Sequence, residues 1–173
     1  MRGEVRREAR ALSVEEALQI IRDGEYGVLA TVNQEGLPST TAMNHVLFED
    51  GCLYFHTGIE GEKINNIRQN PNVSFFVTGM ADVVYEQFTV AFSSAVVHGT
   101  MEIIEEDDAR MSTLQRIAAR FSDGTIPQQP IDGFIQTSMP HVAVLKLTPE
   151  HITGKARVTR RRPCLNGVQV PQP

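Results

Sequence analysis

One segment in the first half of the chain has the residue types of a phosphate-binding site. Residues 55–57 are predicted to be the end of a strand that finishes in a hydroxyl, glycines follow at Gly58 and Gly61, and a helix bearing Lys63 comes next. Glycine lets backbone amides approach a ligand, and a helix N-terminus offers free N–H groups and a positive dipole end. The segment therefore predicts a site for an anionic group. It is not a Walker A motif, because its spacing differs and Gly-Lys-Ser/Thr is absent.

The charge distribution supports the same prediction. The chain of 173 residues has 16 Lys and Arg against 21 Asp and Glu, a net charge of −5, yet residues 11–154 hold only seven of these cations against 19 acids. No Lys or Arg lies between Arg22 and Lys63 or between Arg68 and Arg110. An anionic ligand in this acidic region would therefore find few counter-charges besides Lys63 and Arg68. On spacing alone, the alternative that both are ordinary exposed helix cations stays open.

Two histidines form a second candidate group. Asp50-Gly51 is a hairpin signal, and a two-residue turn there would place His45 opposite His56 on neighbouring strands. Such a pair could bind a metal or haem, or contact a ring; two half-exposed surface histidines are the alternative. No third ligand is nearby in the sequence, which argues against a metal site. The other histidines are scattered and are expected to be structural: His98, His141 and His151.

The elements that would position these residues are mainly strands. Ser13-Val14-Glu15-Glu16 is a capping box that predicts the start of a helix. Further helices are predicted around Lys63 and from Glu105, and residues 123–140 are expected to be a loop. Strands are predicted over residues 26–33, 38–49, 52–57, 72–78, 83–104 (broken near Gly99) and 141–147. Hairpins dominate without a regular βαβ alternation, which predicts a small closed or sandwiched antiparallel sheet with two or three helices.

Composition and charge exclude several classes of protein. With 41% apolar and 21% charged residues, the chain is typical of one soluble globular domain. No apolar run approaches about 18 residues, and the charged N-terminus leads into no apolar segment, so we expect a cytoplasmic protein without a membrane partner.

Cys52 and Cys164 form no CxxC, which argues against a disulfide framework and a thiolate zinc site. The acidic body argues against nucleic acid as a partner. The run Arg160-Arg161-Arg162 is interpreted as a solvated tail, with contact to RNA or an anionic surface as the alternative.

Several motifs, taken in order, are similar to those of a known family. They are Tyr26-Gly-Val-Leu-Ala-Thr-Val-Asn-Gln-Glu-Gly-Leu-Pro38, Leu53-Tyr-Phe-His-Thr-Gly58, Gly61-Glu-Lys63, Asn66-Ile-Arg68-Gln-Asn-Pro71, Ser94-Ala-Val-Val-His-Gly99 and Val144-Leu-Lys-Leu-Thr-Pro-Glu150. The chain resembles the FMN-binding split-barrel family, which includes pyridoxamine 5′-phosphate oxidases, and within it the nitroimidazole-resistance-related branch.

The resemblance implies a fold, a cofactor and a set of site residues. The fold would be mainly β with flanking helices, a six-stranded antiparallel split barrel over residues 12–155, between tails 1–11 and 156–173. The protein would be a homodimer with FMN in the groove between subunits. Thr57 and Lys63 would hold the phosphate, and the stretch Ala42-Met43-Asn44-His45 would run along the isoalloxazine ring. The remaining cofactor-binding residues, some of them from the partner subunit, would be His56, Gly58, Arg68 and Ser94.

The resemblance also implies an activity. It predicts an FMN-dependent oxidoreductase of small electron acceptors, such as nitroaromatics or quinones, with a nicotinamide as a candidate electron donor. Three features depart from relatives. Glu62 stands where a basic residue is frequent, Phe92-Ser93-Ser94-Ala95 lacks a tyrosine frequent in this branch, and the Arg, His and Trp signature of vitamin B6 oxidases is missing from a chain without Trp. The alternatives are a haem-binding protein that uses His45 or His56 as axial ligand, and a flavin-binding module without turnover.

Overall fold

One antiparallel sheet of eight strands forms the framework of the protein. The computed structural model describes residues 4–122 and 127–158. The strands are β1 (Ala11–Leu12), β2 (Tyr26–Val32), β3 (Pro38–Asn44), β4 (Val46–Leu47), β5 (Leu53–Gly58), β6 (Asn72–Val84), β7 (Thr89–Ile104) and β8 (Val142–Arg157). The helices are α1 (Val14–Asp23), α2 (Glu62–Gln69), α3 (Asp107–Phe121) and α4 (Gln128–Ser138). The predicted mainly β fold with flanking helices is confirmed.

The two strands at the ends of the sheet belong to one continuous stretch of chain. Its strand order is β3-β2-β6-β7-β8-β5-β4, with β1 paired to β8. The first and last strands of that order, β3 and β4, are separated in sequence by His45 alone. A single extended run therefore pairs with β2 through its first part and with β5 through its second part, as in an incompletely closed barrel. The predicted count of six strands was wrong, because this run divides at His45 and because the two-residue β1 adds to the sheet.

The hairpin between β4 and β5 differs from its predicted register by one residue. Val46 lies opposite Tyr54, and the amide of Phe48 donates a 3.1 Å hydrogen bond to the carbonyl of Cys52. The loop therefore contains three residues, Glu49-Asp50-Gly51, and Gly51 has a φ of +78°, a conformation that suits a three-residue hairpin loop. Because a slip of one residue exchanges the two faces of a strand, the predicted pairing of His45 with His56 was wrong.

The barrel interior is filled by side chains from all the long strands, and α1 covers one end of it. The predicted capping box of α1 is confirmed, since the Ser13 hydroxyl accepts from the amide of Glu16, whose carboxylate accepts in return from the amide of Ser13. α1 packs Ala17 and Ile21 into the core. The fully buried strand residues include Leu29, Leu53, Phe55, Phe75, Val77, Val97, Leu145 and Leu147.

Three predicted element boundaries change. β6 and β7 are separated by a 3-10 turn at Tyr85–Gln87, and Gly99 marks a register shift within a continuous β7. β8 continues to Arg157. Part of the segment expected to be a loop forms α4, whose Ile135 packs with Leu114 of α3 in a small apolar cluster.

None of the described helices is long and apolar enough to cross a membrane. Cys164 and residues 160–162 lie outside the described residues, as do residues 123–126.

Candidate functional site

The predicted phosphate-binding segment, residues 57–63, lies where β5 ends and α2 begins. It is called the cradle below. Thr57 and Gly58 finish the strand, and Gly61 is the N-cap of α2 with a φ of +119°, a value that glycine adopts far more readily than other residues. A β-carbon added at Gly61 would meet no atom within 4 Å, and one at Gly58 would meet only the carbonyl oxygen of Glu60 at 4.0 Å. The backbone of this turn is therefore open to a ligand.

The N-terminus of α2 differs from those of α1 and α3. Ser13 caps α1, and the Glu106 carboxylate accepts hydrogen bonds from the amides of Asp108 and Ala109 in α3. No side chain caps α2. Because the first turn of a helix has amides without intrahelical acceptors, the first amides of α2 can donate to an external anion. Lys63, in the same turn, is half-buried and carries the positive charge that such an anion needs.

Buried contacts fix α2 against the barrel. Ile64 and Ile67 pack into the core, and Nδ2 of buried Asn66 donates a 3.0 Å hydrogen bond to Oγ1 of buried Thr31 on β2. These contacts set the direction in which the first turn of α2 points. Arg68 lies at an exposed position of the same helix, five residues after Lys63.

His45 and Met43 belong to the stretch that the resemblance assigns to the flavin ring. Both side chains are buried in the barrel core. His45 Nε2 lies 2.8 Å from the carbonyl oxygen of Ile21, and its ring packs edge-on against Phe75 with centroids 5.0 Å apart. Burial lowers the pKa of His45 more than this hydrogen bond raises it, so the imidazole is neutral near pH 7. A ligand outside the barrel would meet only the backbone at these two positions.

Asn44 and His56 have side chains outside the core. Asn44 is exposed at the end of β3, and its Nδ2 donates a 2.8 Å hydrogen bond to the carbonyl oxygen of Glu25. His56 is exposed on β5, beside Thr57, and partial desolvation lowers its pKa. The described residues contain no group of three or more His, Cys, Asp or Glu that could hold a metal ion.

Ser94 is far from the α2 cradle within one protomer. On β8, Thr57 lies opposite Ala143, whereas Ser94 lies opposite Lys155. Ala143 and Lys155 are twelve residue steps apart on β8, a path of roughly 40 Å along an extended strand. Ser94 and Thr57 therefore contact one small ligand only if they belong to different protomers.

Two cavities open on the surface near the predicted site residues. One, of about 530 Å³, lies between the N-terminal residues 4–7 and the strands bearing Ser94 and Lys155. The other, of about 240 Å³, has Arg68 at a largely apolar wall that includes Ile59, Ile64, Ile103 and Met139. Reasoning from the sequence missed the first cavity, although Arg6 and Arg7, which line it, belong to a basic N-terminal segment that was a signal for it.

Most of the chain matches one protein family. Residues 13–156 match the family model described as Pyridoxamine 5'-phosphate oxidase. Among curated proteins, none matches the chain significantly.

Several solved structures are similar in fold. They include a "putative 5-nitroimidazole antibiotic resistance protein" from Bacteroides thetaiotaomicron (23% identity over 84% of this chain and 85% of that one, TM-score 0.67). A FAD-binding protein from Mesorhizobium loti has 24% identity, with 86% and 98% of the two chains covered and a TM-score of 0.58. A FAD- and haem-binding protein from Mycobacterium smegmatis has 17% identity, with 91% and 77% covered and a TM-score of 0.72. At these identities the likeness shows a shared fold.

Proposed function

Because this chain belongs to the pyridoxamine 5′-phosphate oxidase family, we propose that it is an FMN-dependent oxidoreductase of small electron-accepting molecules of the nitroaromatic or quinone type. The observation that carries the proposal is the α2 N-terminus, which has no side-chain cap and lies between the open turn at Gly58 and the half-buried Lys63. Oxidation of vitamin B6 is not proposed, since the chain lacks the Arg, His and Trp signature of those oxidases.

The residues present fit the phosphate of FMN. Lys63 supplies a charge, the first amides of α2 supply donors along a favourable dipole, and Thr57 supplies a hydroxyl donor. Gly61 keeps side-chain atoms away from the position of the phosphate. The acidic Glu62 lies next to Lys63 and opposes this binding, which makes Lys63 the main counter-charge of the cradle.

Bound FMN would supply the hydride or electron transfer, and the chain would supply binding and orientation. Lys63 and Thr57 would hold the phosphate end, and the Asn66–Thr31 hydrogen bond would keep α2 directed at it. Asn44, held by its bond to Glu25, would present a fixed polar group at the edge of the barrel. This chemistry needs no acid or base from the protein, in agreement with the lack of an evident catalytic cluster in the sequence.

A homodimer is part of the proposal. Ser94 and Thr57 reach one flavin only across two protomers, given their separation along β8. The outer face of the barrel also carries aromatic and aliphatic side chains on adjacent strands: Tyr26 is 59% exposed, Val28 36% and Phe76 39%, and Val28 lies directly opposite Phe76. Such a patch is typical of a surface that a second subunit covers.

An absorption spectrum of the purified protein tests the flavin assignment. We expect flavin bands, or a spectral shift when FMN is titrated into colourless protein; no change on titration would contradict the proposal. Anaerobic stopped-flow mixing with a reduced nicotinamide then separates an enzyme from a binding module. Bleaching of the flavin, followed by reoxidation on addition of a nitroaromatic or quinone, supports turnover, whereas a silent flavin favours the module.

Haem binding is the second candidate, and His56 is the residue that favours it. Its imidazole is exposed, and its lowered pKa keeps the ring neutral and able to bind a metal. His45 is a poor axial ligand, because it is buried and bonded to Ile21. A Soret band that disappears in His56→Ala would support this candidate. A Soret band that persists in both His56→Ala and His45→Ala would exclude these two histidines as the axial ligand, and no Soret band on titration with haem would exclude the candidate itself.

A further inference from the structure

Strands β6 and β7 continue beyond the rest of the sheet as a two-stranded ribbon of residues 80–91, which is called the arm below. We propose that the arm of one protomer packs on a second copy of this chain and forms one wall of the flavin groove of that copy. The inference rests on the proposed function, because it places the arm in the proposed homodimer and beside its flavin.

No third strand pairs with the arm in the described part of the chain. β2 pairs with β6 only as far as Val77, and β8 pairs with β7 only as far as Phe92. Between these positions and the turn at residues 85–87, β6 and β7 pair with each other alone. Because an isolated two-stranded ribbon is only marginally stable in water, the arm depends on contacts made by its two faces.

The inner face of the arm packs within its own protomer. Val84 lies opposite Thr89, which shares a face with Ala91, and Val84 and Ala91 are both buried. At the base of the arm, a β-carbon added to Gly79 would lie 3.3 Å from Cγ2 of Ile20, so α1 packs closely against this base. The inner face is therefore already covered.

The outer face of the arm is apolar and exposed. Val83 lies directly opposite Val90, and both side chains are exposed. Tyr85 follows at the turn and is exposed as well. A continuous apolar surface of this kind on a soluble protein indicates a site that another chain covers.

This outer face continues the apolar patch around Phe76 that the proposed homodimer covers. Phe76 lies opposite Val96, and Val83 lies opposite Val90. Because alternate residues of β7 share a face, the two pairs lie on the same side of the sheet. They do so because a β-bulge at residues 78–80 adds one residue to β6. A second copy that covers Phe76 therefore meets the arm as well.

The exposed area suits a second copy of the chain. The rings of Tyr26 and Phe76 in the patch and of Tyr85 and Phe88 in the arm are 59%, 39%, 73% and 99% exposed. At about 200 Å² per aromatic side chain, they offer roughly 500 Å² of the about 800 Å² that one partner of a standard interface buries. The exposed valines of both regions add to this area, so the patch and the arm together approach the size of one side of a dimer interface.

The conformation of Phe88 at the tip also indicates a contact with another molecule. Phe88 has a φ of +48° and is the one non-glycine residue with a positive φ in the described ranges. This left-handed conformation is unfavourable for a bulky residue. Because the side chain is almost fully exposed, packing within its own protomer offsets little of the strain. Burial of the ring against a second copy would offset it.

Ser94 connects the arm to the flavin groove. It lies on the outer face of β7, and Phe92 and Val90 follow at alternate positions towards the tip. Ser94 and Thr57 reach one flavin only across two protomers, given their separation along β8. The path from Ser94 to Phe88 is roughly 20 Å along an extended strand. When Ser94 contacts the flavin of a second copy, the outer face of the arm therefore lies against the groove that holds this flavin.

Truncation of the outer face tests the proposed wall. Phe88→Ala/Val90→Ala should raise the dissociation constant of FMN about tenfold, as expected for the loss of aromatic and aliphatic contacts at the groove, while light scattering still gives a dimer. The matched control, Val14→Ala/Phe134→Ala, removes an exposed valine from α1 and an exposed phenylalanine from α4. It should change the dissociation constant less than about twofold.

A mixed dimer tests whether the arm acts across protomers. Co-expression of the Lys63→Ala chain and the Phe88→Ala/Val90→Ala chain with different affinity tags, followed by purification on both tags, isolates it. One of its two sites combines both defects, and the other combines an intact cradle with an intact arm. The second site should bind FMN with wild-type affinity, whereas an arm that acts on its own protomer would leave both sites weak.

Each outcome decides the inference. Wild-type affinity at one site of the mixed dimer, with weak binding in both parent variants, would support it. Two weak sites would overturn it, as would an unchanged FMN affinity in Phe88→Ala/Val90→Ala or an equal loss in Val14→Ala/Phe134→Ala. A wild type that does not bind FMN would contradict the proposed function and the inference together. Full FMN affinity in Lys63→Ala would contradict only the cradle, and the arm variant with its control would then decide the inference.

Discussion

Asn66 of α2 donates a 3.0 Å hydrogen bond to the hydroxyl of Thr31 on β2, and both side chains are buried. This bond joins the helix that carries Lys63 to the wall of the barrel. Because an unpaired polar group is costly to bury, the pair gives α2 one preferred position on the sheet. The orientation of the cradle therefore depends on a contact on the side of α2 that faces the core.

Asn66→Ala should lower the free energy of unfolding by about 1–3 kcal/mol, because it leaves the Thr31 hydroxyl buried without its donor. Urea denaturation measures the loss. Asn65→Ala, at the exposed neighbouring position, is the matched control and should change stability by less than about 0.5 kcal/mol. Adding Thr31→Val to Asn66→Ala should cost less than Thr31→Val costs alone; strictly additive losses would show that the two side chains are not coupled.

The stability of the protein should fall on mild acidification because of His45. Burial lowers the pKa of His45 in the folded protein below the value of about 6.5 in the unfolded chain. Below pH 6.5 the unfolded chain therefore binds a proton that the folded protein does not bind. This contribution to stability is complete above that pH and is lost as the pH falls from 6.5 towards the folded pKa.

Thermal melting between about pH 7.5 and 5 measures this effect. His45→Gln keeps a donor for the Ile21 carbonyl and removes the titrating ring, so its melting temperature should depend less on pH than that of the wild type. His56→Ala is the control at an exposed histidine and should retain most of the wild-type pH dependence. Identical pH profiles for His45→Gln and the wild type would contradict the assignment.

Local signals predicted parts of the fold, and tertiary contacts decided the rest. The capping box of α1 was predictable, since both of its hydrogen bonds join residues three apart. The register of the β4–β5 hairpin was not, because Asp-Gly occurs in two-residue and three-residue loops, and only the strand pairing, with Val46 opposite Tyr54, distinguishes them here. α4 was missed because Pro130 and Gly133 indicate a loop, whereas Ile135 gains its burial from Leu114 of α3.

The candidate site, like the fold, could be predicted only in part from the sequence. The cradle residues from Thr57 to Lys63 are contiguous, so their proximity followed from the sequence. The burial of His45 depends on the point where the extended run leaves β2 and joins β5, which no local pattern marks. The N-terminal cavity depends on the pairing of β1 with β8, two segments at opposite ends of the described chain.

Glu62→Gln should strengthen FMN binding. The Glu62 carboxylate stabilises the first turn of α2 in the absence of an anion, yet it repels a phosphate at the same helix end. Its removal should lower the dissociation constant of FMN about two- to fivefold, as expected for an exposed charge of about 0.3–1 kcal/mol. Fluorescence titration measures the constant, and Glu60→Gln, an exposed acid in the preceding turn, is the control. Weaker FMN binding in Glu62→Gln would contradict a phosphate at this helix end.

Phe76→Asp should dissociate the proposed homodimer. Phe76 and Val28 are opposite each other on the exposed face of β6 and β2, and a carboxylate there would be desolvated in an interface between subunits. Light scattering should give twice the 19.2 kDa of one chain for the wild type and a single chain for the variant. Val14→Asp, at an exposed apolar position on α1, should remain dimeric. A monomeric wild type with FMN still bound would exclude the shared site.

The charge of Lys63 is the part of the cradle that mutation isolates best. Lys63→Ala should weaken FMN binding about tenfold to hundredfold, the range expected for a hydrogen bond to a charged group of about 1.5–3 kcal/mol. Higher salt should weaken FMN binding to the wild type more than to the variant. Arg68, exposed on the same helix, can replace part of the lost charge, so Lys63→Ala/Arg68→Ala should show a larger loss.

Parallel titration of FMN and riboflavin into the wild type, Lys63→Ala and the control Arg22→Ala is the most direct test of the flavin site. Riboflavin has the same ring without the phosphate. We predict that Lys63→Ala weakens FMN binding and leaves riboflavin binding within about twofold of the wild type, while Arg22→Ala changes neither. An equal loss of both flavins, or no loss of FMN in Lys63→Ala and in Lys63→Ala/Arg68→Ala, would contradict a phosphate held by this cradle.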